Sequence, residues 1–249
     1  FVGQSMLFPI YGAGKIISAS YRGTPFEEAQ GILRCIPKYT EFFDLKAKFP
    51  DGYAKGKLAW ILHPRDRGRI TSRRFNLEGK LSLNNASKLF GDRVKKVLAD
   101  FTIEEPPEIK ADGVIFGHGQ FDFLEQQPVS QFFVRGQGGK STFLSVPMDH
   151  LDIDLKSHAG AITIDPVKFG FAEGEGDGWL KINPHSAGPP MELSIQLKDA
   201  DKDLALRNLA RNPKLNLKPP KPTEEKSKLK SFSLHAKGNH GDIASFDGN

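Results

Sequence analysis

Met191-Glu192-Leu193-Ser194-Ile195-Gln196-Leu197-Lys198 places an apolar side chain at every other position and a polar or charged one between. Successive side chains of an extended chain point to opposite faces, so this stretch reads as a strand with one dry face and one wet face. The same residues on a helix would be spread around its axis and leave no apolar stripe.

The pattern recurs outward in both directions. Phe75, Leu77, Leu81 and Leu83 alternate with Asn76, Glu78, Lys80 and Ser82, and Leu151, Ile153 and Leu155 with Asp152, Asp154 and Lys156. Phe43, Leu45, Ala47 and Phe49, then Phe121 with Phe123, Ile162 with Ile164, and Phe232 with Leu234, repeat it. Turn-forming residues separate these runs: Pro50-Asp51-Gly52, Asp112-Gly113, Gly136 to Gly139, Gly174 to Gly178, and Asn183-Pro184. Such spacing predicts hairpins of an antiparallel meander and disfavours parallel βαβ winding. Only two stretches have helical periodicity. Residues 85–101 carry Leu89, Phe90, Val94, Val97, Leu98 and Phe101, and residues 199–211 carry Leu204, Leu206 and Leu209 before Asn212-Pro213 stops them. The expected fold is therefore mainly β with two short helices.

These helices sit in an internal repeat. Leu81-Ser82-Leu83 to Leu89 is similar to Ile195-Gln196-Leu197 to Leu204, Pro106-Pro107 recurs as Pro219-Pro220, and Phe49 to Leu58 is similar to Phe171 to Leu180. Repeats of this length suggest stacked units. Between Lys214 and Lys230, three prolines and alternating Lys and Glu read as an extended, solvated loop.

The sequence has 249 residues, 35 Lys and Arg against 30 Asp and Glu, and a formal charge of +5, a mild excess compatible with acidic partners. One cysteine, Cys35, excludes an internal disulfide. No run reaches the roughly 20 apolar residues of a membrane-spanning helix. The chain opens at Phe1 without a methionine or a charged leader and stops at Asn249 just after a strand-like pattern, so both ends read as cuts inside a longer protein.

Motifs that suggest catalysis fail on spacing. Arg135-Gly136-Gln137-Gly138-Gly139-Lys140-Ser141-Thr142 ends like a phosphate-binding loop, but Val134 stands where its first glycine belongs and no helix follows. Gly174-Glu175-Gly176-Asp177-Gly178 lacks both the helix of a dinucleotide fingerprint and the ligand series of a calcium turn, and reads as a glycine-rich hairpin. The seven histidines form no ligand set, and His150, Asp152 and Asp154 share the polar face of one strand. No enzyme active site, metal or cofactor is read. The basic run Arg65, Arg67, Arg69, Arg73 and Arg74 offers its first three members to anionic headgroups, although an ordinary loop beside Asp66 is the simpler explanation; without interleaved aromatics it does not suggest nucleic acid.

Three passages carry a family likeness: Val146 to Leu155 followed by Gly160 to Val167 and the glycine-rich Ala172 to Leu180, the closing Phe232 to Gly248, and Pro106-Pro107-Glu108-Ile109 ahead of Val114. Together they resemble the C-terminal region of AsmA-like proteins, the bacterial envelope group that includes TamB-type members. The likeness spans about two thirds of the chain and begins near Tyr39. It implies an elongated, curved antiparallel sheet forming an apolar groove, with residues 1–40 as an unassigned lead-in, 41–130 as a first groove repeat and 131–249 as a second. It also implies a place in the periplasm, an inner-membrane anchor in a segment not present here, and a role in moving phospholipid toward the outer membrane or maintaining it. Groove-facing residues would include Phe121, Phe123, Leu151, Ile153, Leu155, Leu193, Ile195, Leu197, Phe232 and Leu234, with phospholipid acyl chains as partners.

Physical chemistry agrees with a conduit. An acyl chain gains about 0.8 kcal/mol per buried methylene in a bilayer or a groove alike, so transfer between them is nearly neutral. Nineteen Phe against four Tyr and two Trp suit an apolar lining better than a sugar-stacking surface. The alternation itself is shared by a closed β-sandwich, a structural or interaction module that buries the same faces against each other.

Overall fold

A computed structural model describes residues 9–21, 23–62, 70–90, 99, 101–116, 129–183, 190–220, 227–238 and 247–248. Among the described residues the chain is mainly β, antiparallel, with two short α-helices, and its strands do not close into a barrel. Its contacts divide it into two units: residues 1–81, 108–134 and 157–159, and residues 82–107, 135–156 and 160–249.

The first unit is a meander of β1 (Ile10–Tyr21), β2 (Thr24–Ile36), β3 (Tyr39–Phe49), β4 (Gly52–Leu62), β5 (Ile70–Lys80) and β7 (Glu108–Phe116), each antiparallel to the one before. Two-residue loops make the reversals from β2 to β3 and from β3 to β4. Pro37-Lys38 joins β2 to β3, with Lys38 at φ 65° after a proline that presets the first turn position.

The second unit contains α1 (Leu83–Phe90), β6 (Phe101–Ile103), β9 (Ser141–Phe143), β10 (Val146–Met148), β11 (Leu151–His158, except its last two residues), β12 (Ala161–Phe171), β13 (Gly174–Ile182), β14 (Met191–Asp201), α2 (Lys202–Leu209), β15 (Lys228–Gly238) and β16 (Asp247–Gly248). Strands β12 to β16 pair antiparallel in chain order, and β6, β9 and β10 form a separate three-stranded sheet. Strand β8 (Gln131–Gly138) is divided between the units after Val134.

Several sequence expectations change. Asp112-Gly113 is not a turn but lies within β7, where Gly113 takes φ 150°. The Gly174 to Gly178 run is strand β13; the reversal before it is Ala172-Glu173, both at positive φ, the conformation a two-residue hairpin needs to match strand twist. Phe43 leaves the face of Leu45, because a bulge at Asp44 (φ 54°) inserts a residue and brings Phe42 there instead. Leu81 and Leu83 do not extend β5: Ser82 Oγ accepts from Asn85 N and starts α1. The helix expected over 85–101 spans Leu83–Phe90, with residues 91–98 and 100 outside the described residues and Phe101 in β6. The one expected over 199–211 is shorter, since Asp199 to Asp201 finish β14.

Asp201 caps α2, its carboxylate accepting from Leu204 N at 2.7 Å. Replacing Asp201 with Ala is expected to cost about 1 kcal/mol. Urea unfolding would read the loss, and an Asn variant, which keeps the acceptor, should recover most of it.

The two halves share one local design. In chain order, β3, β4, β5, α1 and β7 correspond to β12, β13, β14, α2 and β15, apart from the short β6. Phe49 and Phe171 each precede a two-residue turn, and both are buried. A Cβ on Gly56 would strike the carbonyl oxygen of Asn76, and one on Gly178 that of Ser194; Gly52 and Gly174 meet the carbonyls of Lys80 and Lys198 likewise. Leu83, first in α1, thus corresponds to Lys202, first in α2, five residues beyond the Leu197 that sequence similarity pairs with it.

Candidate apolar binding faces

Strand register determines which side chains share a face. In the first unit, one row across the strands joins Gly12, Leu33, Phe42, Leu58, Phe75 and Gly113. The next joins Leu45, Gly56, Leu77 and Ala111, with Gly31 packed against Leu45. A further row joins Ile16, Ala29, Ala47, Ala54, Gly79 and Ile109. None of these residues is charged. The opposite face is built of ions, with Glu78 between Lys55 at 2.7 Å and Lys110 at 3.8 Å, and Lys80 near Glu108. The hydrogen bond from Lys55, and then its charge, hold the Glu78 carboxyl below the ordinary carboxylate range.

The second unit repeats the division. Rows run Ile162–Ile182–Met191–Gly238, Ile164–Leu180–Leu193–Ala236, Val167–Gly178–Ile195–Leu234 and Phe169–Gly176–Leu197–Phe232. Glycines in β13 lower the floor of this face, and the Phe169 ring lies across Gly176 where any Cβ would collide with it. On the reverse face Trp179 meets the His235 ring edge-on at 5.7 Å, and Lys181 lies over the Trp179 ring.

One end of this apolar face is sealed. Phe171, Ala172, Leu197, Ala200 and Ala205 form a buried cluster with Val146, Phe169, Leu204, Leu209 and Leu229 packed on it. Asp201 N donates to Ala172 O and Lys202 N to Ser227 O, fixing the entry of α2 over that end. Away from it the rows stay half-exposed at Met191, Leu193, Ile195 and Leu234, and Phe232 is 47% exposed.

Of the residues expected to line a groove, Leu193, Ile195, Leu197, Phe232 and Leu234 share this face. Leu151, Ile153 and Leu155 occupy one side of β11, with Ile153 against Gly136 of β8. On the other side of β11, Asp154 takes two hydrogen bonds from Arg135, at 2.6 and 2.8 Å. Those bonds, opposed by slight desolvation and reinforced by the Arg135 charge, hold the Asp154 carboxyl below its ordinary range. Phe121, Phe123, Arg65, Arg67 and Arg69 lie outside the described residues.

Apart from Phe121 and Phe123, which lie outside the described residues, sequence reasoning did not name the lining of the first unit. Its alternating Phe75 and Leu77 were a signal, but the bulges in β2 and β3 shift register and hide the rows from any fixed period. Among the described residues no group of three or more His, Cys, Asp or Glu is placed to hold a metal ion, and no helix is long and apolar enough to cross a membrane. The chain matches no family model, no curated protein and no solved structure.

Proposed function

We propose that the chain is a periplasmic segment of an AsmA-like protein whose uncharged sheet faces carry phospholipid acyl chains between membranes, in support of the outer membrane. The observation that carries this reading is the half-exposure of large apolar side chains along these rows. A sandwich interior would bury Leu58, Phe75, Leu77, Leu193 and Ile195, yet each is only half-buried. Among the described residues the sole additional sheet is the three short strands β6, β9 and β10. Each large aliphatic or aromatic side chain on such a face gains about 1.5–3 kcal/mol on full burial, which a hydrocarbon chain can supply. Many side chains share that gain along a row, so a lipid meets a surface of similar affinity throughout.

Charging the surface should abolish the interaction. In a protein bearing Ile153→Asp and Ile195→Asp, photo-crosslinking to a diazirine-labelled phosphatidylethanolamine is expected to fall at least about tenfold, since a buried carboxylate loses its hydration. Circular dichroism checks that the variant keeps its sheet. Undiminished crosslinking in the folded variant would sink the proposal. Native mass spectrometry after gentle purification gives a second test: lipid-free protein throughout would favour a closed interaction module.

A further inference from the structure

Arg73 breaks the separation of charge from apolar surface. It belongs to the face of Phe75 and Leu77, not to the ionic face, because it stands directly between Trp60 of β4 and Ile115 of β7. The row continues through Thr40 and Cys35, whose hydroxyl and thiol lie 3.3 Å apart, to Ile10. This polar rim adjoins the first uncharged row, one side-chain repeat along β5, or about 6.8 Å, from Phe75.

Two other strand arginines are matched. Arg34 faces Glu41 and pairs with it, and Arg135 holds Asp154. Arg73 is exposed, and none of the ion pairs among the described residues includes it. In the second unit the corresponding position is Met191, two residues before Leu193 as Arg73 is two before Phe75, and its row of Ile162, Ile182, Met191 and Gly238 is uncharged. The cation therefore belongs to the first unit and is not a requirement of the shared strand design.

Building on the lipid reading above, we infer that Arg73 binds the phosphate of a phospholipid whose acyl chains lie over Phe75, Leu58 and Phe42. A guanidinium presents a planar fork of donors that matches two phosphate oxygens, and its aliphatic stem can lie on apolar neighbours while the head stays wet. Trp60, beside it, offers an indole N–H and a flat apolar surface suited to the glycerol and ester region. Chemistry thus selects an anionic amphiphile: hydrocarbon alone satisfies the rows but leaves Arg73 without a partner.

The test compares two photoreactive probes with identical chains, phosphatidic acid and diacylglycerol, in a neutral maltoside detergent. Wild-type protein is expected to crosslink phosphatidic acid about fivefold or more over diacylglycerol, from charge-assisted pairing. Arg73→Ala should remove that preference while leaving the diacylglycerol yield unchanged, and Arg73→Lys should restore part of it. A preference surviving Arg73→Ala, or absent from the wild type, overturns the inference while diacylglycerol crosslinking still upholds the lipid reading. Failure of both probes on folded wild-type protein overturns both. Glycerol 3-phosphate serves as competitor: displacement at the concentration effective for short-chain phosphatidic acid would mark a plain anion site and overturn the amphiphile assignment.

Discussion

Gly56→Ala and Gly178→Ala are each expected to destabilise the protein by about 2–4 kcal/mol, far beyond the usual effect of adding one methyl group to a strand. At Gly56 two costs combine. Its φ of 140° is a conformation that L side chains rarely adopt, and a Cβ would collide with the carbonyl oxygen of Asn76 on β5. At Gly178 the collision with Ser194 O acts alone. Backbone cannot yield as the end of a flexible side chain can, so relief requires separating β4 from β5, or β13 from β14, and loses ladder hydrogen bonds. For a chain of this size, each kcal/mol lowers Tm by roughly 2–4 °C. Gly12→Ala and Gly14→Ala provide the comparison: a Cβ there meets nothing within 4 Å, and stability should stay within about 0.5 kcal/mol. Equal Tm values for all four variants would remove close approach as the reason for the glycines.

The same glycines connect stability with the binding proposal. In each unit they lie within the uncharged rows, Gly56 beside Leu45 and Leu77, Gly178 beside Val167 and Ile195. Each leaves a low place between larger apolar side chains, so the contact that demands glycine also shapes the surface offered to a ligand. Their shared placement in both hairpins adds a backbone constraint to the similar letters of the two stretches.

Alternation made the strands legible because side-chain period in a strand is fixed at two. Met191 to Lys198 needed no tertiary information: every apolar residue in it shares the Leu193 and Ile195 face. What alternation does not record is where one extra residue enters. The bulge at Asp44 changes the face of Phe43, and the glycines of β13 imitate a turn because small residues serve both tight reversals and close strand approach. Helix ends were displaced for a different reason. Asp199 and Ala200 suit a helix by composition, but Ala200 faces Leu229 across β15 and is fully buried there, so strand pairing overrides local preference until Asp201 can cap. The position of Arg73 was hidden too, since a run of arginines gives no face until register assigns one.

The largest loss from a single side chain is expected at Phe171→Ala, about 3–5 kcal/mol. Phe171 is 6% exposed and belongs to a cluster whose other buried members are Ala172, Leu197, Ala200 and Ala205. Three of those four are alanines, so Phe171 is the largest buried side chain that the surrounding Val146, Phe169, Leu204, Leu209 and Leu229 pack upon. A sheet with an open apolar face has few other buried contacts to compensate. Phe232→Ala, on the same face but 47% exposed, should cost less than about 1 kcal/mol, because a half-wet ring loses little contact on truncation. Phe171→Leu keeps the site apolar and should fall between them, guarding against an alanine variant that does not fold. Hydrogen exchange would locate the damage: amides of α2 from Leu204 to Leu209 should lose protection first in Phe171→Leu, while those pairing β13 with β14 near Leu180 and Leu193 keep it. Uniform loss across both regions would mean that the sealed end and the open rows unfold together. Selective loss at α2 would mean that the rows persist without their stopper, and the strand ladders alone would then hold the apolar face in shape.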